Sequence, residues 1–289
     1  MGRRGGGDKF HQQRKQELEK EAFVRQKENK NKIPDVIIAC EDETSAPTYF
    51  RLMVEGLIRD KIITQDSFVV AKHRHTNPSG VLKDLTAHKC TSGKTYKNFE
   101  HKWIVIDRDS QRVNGGGHST QDFNAAIQKA ENLKVEVAYS NDSFELWYLL
   151  HFCYRNTSIL RDEILDTVIA KLKNKNKHKF SKLDKNNIKQ ENYTKLIFEE
   201  LVELQDKAVI NAKNLLDSYG DGHNPESDNP STTVHRLVEI LLSLGDNDEL
   251  DEMTTDKHID DLKSGKSKSV GIEEVLGKAG CDITFGKTK

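Results

Sequence analysis

The stretch Val36-Ile37-Ile38-Ala39-Cys40-Glu41 is an apolar run that ends in an acid, and Trp103-Ile104-Val105-Ile106-Asp107-Arg108-Asp109 repeats the pattern with a carboxylate pair. Short runs rich in β-branched residues predict strands buried on both faces. Open α/β sheets gather their ligands at the carboxyl ends of the strands, so Glu41, Asp107 and Asp109 are expected on one edge. Three carboxylates converging there would suit a hard divalent cation, Mg²⁺ or Mn²⁺. Asp107 and Asp109 share a side of an extended chain, with Arg108 opposite. The alternative is an Asp-x-Asp that only caps backbone amides in a turn.

Outward from these strands the chain alternates. Ile33-Pro34 marks a turn into the first strand, and residues 48–59 have helical spacing with Tyr49, Leu52, Met53 and Leu57 near one face. Residues 67–71 read as a short strand and 79–88 as a helix with Val81, Leu82 and Leu85 inward. The Asp107 strand is followed by a Gly115-Gly116-Gly117 loop, a helix over 121–132 and a fourth strand over 135–139. Alternation of this kind predicts an α/β domain over 33–143, a mostly parallel sheet flanked by helices. From Phe144 the period becomes purely helical, so 144–244 is expected to be a helical region packed on the sheet. Trp147, Leu150, His151 and Tyr154 form one stripe, and long helices are expected over 192–218 and 232–244.

The net charge of −1 conceals local asymmetry. Residues 1–32 hold ten Lys or Arg against five acids and read as a flexible basic arm. Residues 246–261 hold eight acids against one Lys, so 245–289 reads as a flexible acidic tail. Between Lys171 and Lys189 eight lysines and His178 face a single acid, Asp184. That density suits a phosphate backbone and makes Lys171, Lys173, Lys175, Lys177, Lys179 and Lys182 nucleic-acid-binding candidates; the bland alternative is a solvated loop.

Cys40, Cys90, Cys153 and Cys281 are far apart and form no CxxC pair, which argues against a zinc site and a disulfide framework. Cys40 and Cys153 are expected to be buried thiols. No apolar run approaches the ~20 residues that span a bilayer, and no hydrophobic signal core opens the chain, so a cytoplasmic protein with no membrane partner is expected.

Further candidates each carry a structural alternative. Asp42 and Glu43 could serve a metal or favour the positive end of the following helix, and Thr44 and Ser45 are expected to cap it. Asp142 and Glu145 have capping-box spacing, while Glu145 could also ligate a metal or orient a ligating acid. His151 lies on the Trp147 stripe, where a packed histidine with a hydrogen-bond partner is expected. Asn229-Pro230-Ser231-Thr232-Thr233 is expected to cap the last helix, and its hydroxyls and free amides would also suit a phosphate. There is no GxxxxGK[ST] loop to support a kinase-like reading.

Taken in order, Cys40-Glu41 through Tyr49-Phe50, Asp107-Arg108-Asp109, Ser140-Asn141, Phe144-Glu145-Leu146-Trp147, Leu149-Leu150-His151-Phe152 and Asn229 through Glu239 resemble the RloB family. These are small proteins linked to bacterial restriction and abortive-infection loci, and the resemblance covers about residues 33–244. The family is in turn similar to the TOPRIM fold, in which a glutamate and a DxD organise Mg²⁺ for cutting or joining phosphodiesters. The resemblance implies that Glu41 is that glutamate and that Asp107 and Asp109 are the metal-binding pair, with Glu145 in support. It also implies an AAA-type ATPase as a partner. Asp42 stands where relatives usually have Gly, and Ser45 where an acid is common. Two functions are therefore expected: a metal-dependent nuclease of DNA or RNA in phage defence, or a non-catalytic nucleic-acid-binding or regulatory subunit of an ATPase complex.

Overall fold

A computed structural model describes residues 34–109 and 117–245. The basic arm, the acidic tail from residue 246, Cys281, and Gly115 and Gly116 of the glycine loop lie outside the described residues. Those from Asp35 onward form one compact unit.

Among the described residues, five strands make one sheet in the order β2-β1-β3-β4-β5. β1 (Val36–Cys40), β2 (Phe68–Val70), β3 (His101–Asp107) and β4 (Glu136–Asn141) are parallel, and β5 (Ser231–Thr232) pairs antiparallel with β4. Every residue of β1 is buried, as its unbroken apolar composition requires of an inner parallel strand. Three helices make the crossovers: α1 (Ser45–Arg59), α2 (Pro78–Ala87) and α3 (Thr120–Asn132). The chain steps one way across the sheet from β1 to β2, then the other way to β3 and β4. Right-handed crossovers therefore put α1 on one face and α2 and α3 on the other. The core agrees, because Ile37, Ala39, Ile104 and Ile106 pack with Val81, Leu82 and Leu85 of α2 and with Phe123 and Ala130 of α3. Val36, Ile38, Trp103 and Val105 alternate to the opposite face. On that side α1 lies on β1 and β2, and α8 (Val234–Ser243) lies on β4 and against α1.

α4 (Glu145–Phe152) packs between α5 (Arg161–Lys175) and α7 (Gln205–Asp217), and α6 (Glu191–Leu201) packs on α1. The four parallel strands, α2 and α3 lie within a residue or two of where periodicity puts them. Other elements differ. α1 starts at Ser45 because the Asp42 carboxylate accepts the Ser45 and Ala46 amides, so Asp42 is the cap and Ser45 Oγ itself donates to it. Its buried side is Ala46, Tyr49, Phe50 and Val54, with Leu52, Met53 and Leu57 only half-buried. α4 is buried from Glu145 to His151 rather than along one stripe, and Tyr154 lies beyond it, exposed. The long helix over 192–218 is two, α6 and α7, joined by a 3-10 turn at Val202–Leu204. This break lets α6 follow α1 while α7 follows α4.

Ser231 and Thr232 were expected to lead into a helix and instead close the sheet. Their hydroxyls, with that of Thr233, bond to main-chain groups: Thr232 Oγ1 to the Tyr139 carbonyl at 2.8 Å, Thr233 Oγ1 to that of Val137 at 2.8 Å and Ser231 Oγ to that of Asp228 at 2.7 Å. Spent in this way, the three hydroxyls are not free for a phosphate. Cys40 is buried as expected, whereas Cys153 is half-buried.

His151 is fully buried, with Nδ1 2.8 Å from the Trp147 carbonyl and Nε2 3.3 Å from Tyr49 Oη. Burial lowers its pKa to about 4, and does the same to His235 on α8. Both folded values lie below that of the unfolded chain, which therefore takes up protons first as the pH falls. Stability is expected to be full above about pH 6.5 and to drain away down to pH 4, by at most about 1.4 kcal/mol per pH unit for each histidine. Urea midpoints across that range, compared with His151→Gln, check this; an unchanged slope in the variant would refute it.

Candidate active site

The strand order places a topological switch between β1 and β3, where the crossovers leave in opposite directions and a crevice opens at the carboxyl edge. Glu41 follows β1 and Asp107 ends β3, so these two acids flank that crevice. The Glu41 Oε2 accepts the Asp107 amide at 3.1 Å, which ties the two strand ends together. Asp109, two residues on, is 7% exposed and pairs with Arg161 Nη1 at 2.6 Å through Oδ2. Glu145 enters from the start of α4, beyond the end of neighbouring β4, and is fully buried. The structure thus brings all four sequence-predicted acids to one edge.

Their partners were not predicted. His118, just before α3, contacts Glu41 Oε1 through Nε2, and its amide donates to the Asp109 carbonyl at 2.7 Å. Arg161 opens α5, where its own amide donates to Asp142 Oδ2 at 3.0 Å. Asp142 is thus drawn to α5, and Phe144, without a side-chain cap, starts α4 in place of the expected capping box. Lys189 Nζ lies 3.1 Å from Glu145 Oε1. That is close enough for a charge pair, although neither Glu145 oxygen has a hydrogen bond of good geometry. No local pattern marks these cations. Arg161 follows a loop and Lys189 ends a charged run, and only the fold brings them here.

The electrostatics single out Asp107. Burial raises its pKa well above the usual carboxylate range; the charges of Glu41 and Glu145 add to this, while Lys189 and Arg161 oppose it. Among the described residues, no side chain makes a hydrogen bond or ion pair with its carboxylate. Protein atoms surround that group, yet the residue keeps some accessible surface. Burial also raises the Glu41 pKa, against the pull of His118, whereas the His118 pKa is raised by its bond to Glu41. For Glu145 burial is outweighed by Lys189 and Arg161, so its pKa is lowered.

An oxygen-only donor set with an unpaired acid among like charges fits a hard divalent cation. Among the described residues, however, no three His, Cys, Asp or Glu stand close enough together to form a ready-made metal cage. Asp109 and Glu145 are turned instead to Arg161 and Lys189.

The lysine run is folded rather than loose. Phe180, Leu183 and Ile188 are buried beneath it, and Asn176, Asp184 and Asn187 hold its turns through their side chains. Lys179 pairs with Glu199 at 2.8 Å and Glu200 at 3.0 Å; Lys171 and Lys173 are half-buried on α5, and Lys175, Lys177 and Lys182 are exposed. Among the described residues, no helix is long and apolar enough to cross a membrane.

No curated protein and no solved structure matches the chain. A protein family described as RloB-like does match, over residues 36–241. That span runs from the first residue of β1 into α8 and takes in every acid and cation of the crevice, and the chain belongs to the RloB-like family.

Proposed function

We propose that this chain is a metal-dependent nuclease that hydrolyses phosphodiester bonds, acting in anti-phage defence or abortive infection. The observation that carries this reading is the Asp107 carboxylate, set between Glu41 and Glu145 at the switch point and, among the described residues, without a hydrogen-bond or ion-pair partner. Mg²⁺ or Mn²⁺ would be held by Glu41, Asp107 and Asp109. Such an ion, when bound, polarises a phosphoryl oxygen and neutralises the charge on the leaving oxygen. Glu41, steered by His118 and the Asp107 amide, is placed to hold or give a proton at the reacting oxygen. Lys189 and Arg161 supply fixed positive charge for a phosphate entering the crevice. The defence role rests on the family alone, as does a partnership with an AAA-type ATPase.

A second reading draws on the Arg161–Asp109 and Lys189–Glu145 pairs, which satisfy two of the four acids internally. It makes the chain a non-catalytic nucleic-acid-binding or regulatory subunit. Calorimetric titration of Mg²⁺ and Mn²⁺ into the wild type and Asp107→Ala/Asp109→Ala, with cleavage of DNA and RNA by the same samples, separates the two. The nuclease reading expects binding heat and cutting in the wild type and neither in the variant. Nucleic-acid binding without cutting in either protein supports the second reading, and cutting by the variant refutes the metal site.

A further inference from the structure

β2 ends at the same carboxyl edge as β1 and β3, and the chain leaves it as Lys72-His73-Arg74-His75. Nothing in the apolar periodicity marks this segment. In the fold it runs one strand over from Glu41, with His73 Nδ1 3.2 Å from the Cys40 carbonyl. A cavity of about 270 Å³ is lined by Lys72 and His73 together with Arg51, Cys40 and Asp42, so the segment and the end of β1 share one recess.

The segment is exposed, yet firmly built. Asp84 of α2 is buried and spends both oxygens on it. Oδ2 accepts the Arg74 amide at 2.8 Å and the His75 amide at 3.0 Å, while Oδ1 meets His75 Nδ1 at 2.7 Å. Gly80 lies so close beneath that a Cβ there would run into His75 Cβ and Asn77 Oδ1. On the far side Asn77 donates to Asp122 at 3.0 Å, which anchors the segment to α3, the helix that follows His118. Fixed backbone beneath charged, solvent-facing side chains is how a rigid scaffold presents a binding loop. Lys72 and Arg74 are exposed, and among the described residues neither makes an ion pair. His75, held through Nδ1, keeps Nε2 for another partner. In the Lys171–Lys182 run Lys179 is occupied by two glutamates, and the exposed Lys175, Lys177 and Lys182 do not line the recess at the end of β1.

We infer that Lys72-His73-Arg74-His75 is where the sugar-phosphate backbone of the nucleic acid lies as it passes the carboxylate crevice. This rests on the nuclease reading and names its substrate-holding surface. Lys72 and Arg74 neutralise two phosphates next to the one addressed by the crevice and carry no base specificity.

Lys72→Ala/Arg74→Ala tests it, because both side chains can be removed while the main-chain bonds to Asp84 remain. Fluorescence anisotropy with duplex DNA and with single-stranded RNA is run in chelator, so that nothing is cut, across a salt series and beside a thermal melt. The expected result is an unchanged melt and affinity lower by on the order of tenfold for whichever probe the wild type binds. The slope of log K against log salt should be shallower by about 1.8 on duplex DNA or about 1.4 on single-stranded RNA. The companion Lys175→Ala/Lys177→Ala/Lys182→Ala should lose less. Unchanged binding in the first variant, or a larger loss in the companion, overturns the inference and leaves the nuclease reading standing. A wild type that binds neither probe in chelator also overturns the inference, and the nuclease reading is then judged by cleavage in Mg²⁺.

Discussion

Asp107→Asn is expected to melt higher than the wild type at neutral pH and to lose cleavage by on the order of a hundredfold to a thousandfold. The two effects share one cause. Burial and the neighbouring charges of Glu41 and Glu145 hold the Asp107 pKa well above its value in an unfolded chain. Ionising it in the fold therefore costs stability, and that cost is present at any pH above the folded value. The sign follows from linkage: between the unfolded and folded values the native state binds more protons, so stability falls as the pH rises. Asparagine keeps the shape without the charge, and for a chain of this size each kcal/mol relieved appears as roughly 2–4 °C. The gain should vanish in acid, below the ordinary carboxylate range. Melts from pH 4 to 8 beside a cleavage assay check this, and a lower melting point at pH 7 would show that the Asp107 charge has a compensating partner.

Lys189→Met is expected to have the largest effect on folding of any single change at the crevice, about 3 kcal/mol, because it removes the half-buried partner of a fully buried carboxylate. Glu145 is fully buried, and Lys189 is the largest of the charges that hold its pKa down. In the wild type that lowered value stabilises the fold above the unfolded glutamate value and is lost as the pH drops through the folded one. Without Lys189, burial governs and the sign reverses: the deficit appears above the unfolded value and grows as the pH rises. Urea denaturation at pH 7 and pH 5 should therefore show the variant much closer to the wild type in acid. Lys189→Met/Glu145→Gln should recover part of the loss at pH 7. An equal deficit at both pH values, or a double variant no better than the single, would mean that Lys189 acts through packing of its stem.

The parallel strands were legible because each is an apolar run with one buried identity, and the crevice acids because Glu41 and Asp107 sit where such runs stop. His151 was legible as a packed side chain from its place among Trp147 and Leu150. What escaped was whatever the fold assembles from afar. β5 is two hydroxyl residues whose strand character comes wholly from pairing with β4. Asp42 reads from sequence as either a ligand or a helix-end acid, and its carboxylate meets the amides of α1, the second of these. His118, Arg161 and Lys189 have no spacing relation to Glu41, Asp109 and Glu145, so periodicity could supply one half of each pair and never the other. The lysine run was legible as charge and not as a folded segment: Phe180, Leu183 and Ile188 pin it down, while Lys175, Lys177 and Lys182 stay exposed.

The antiparallel closure of the sheet has a consequence for synthesis. Ser140 and Thr232, whose hydroxyls meet at 3.1 Å, are 92 positions apart. A chain emerging from the ribosome completes β4 long before its edge partner exists, and the main-chain groups from Val137 to Asn141 wait uncovered until residues 231–233 arrive. An open edge is a template for pairing with another chain. A product truncated before Ser231 would carry that edge permanently. Such a fragment should self-associate even though every acid and cation of the crevice is already in it.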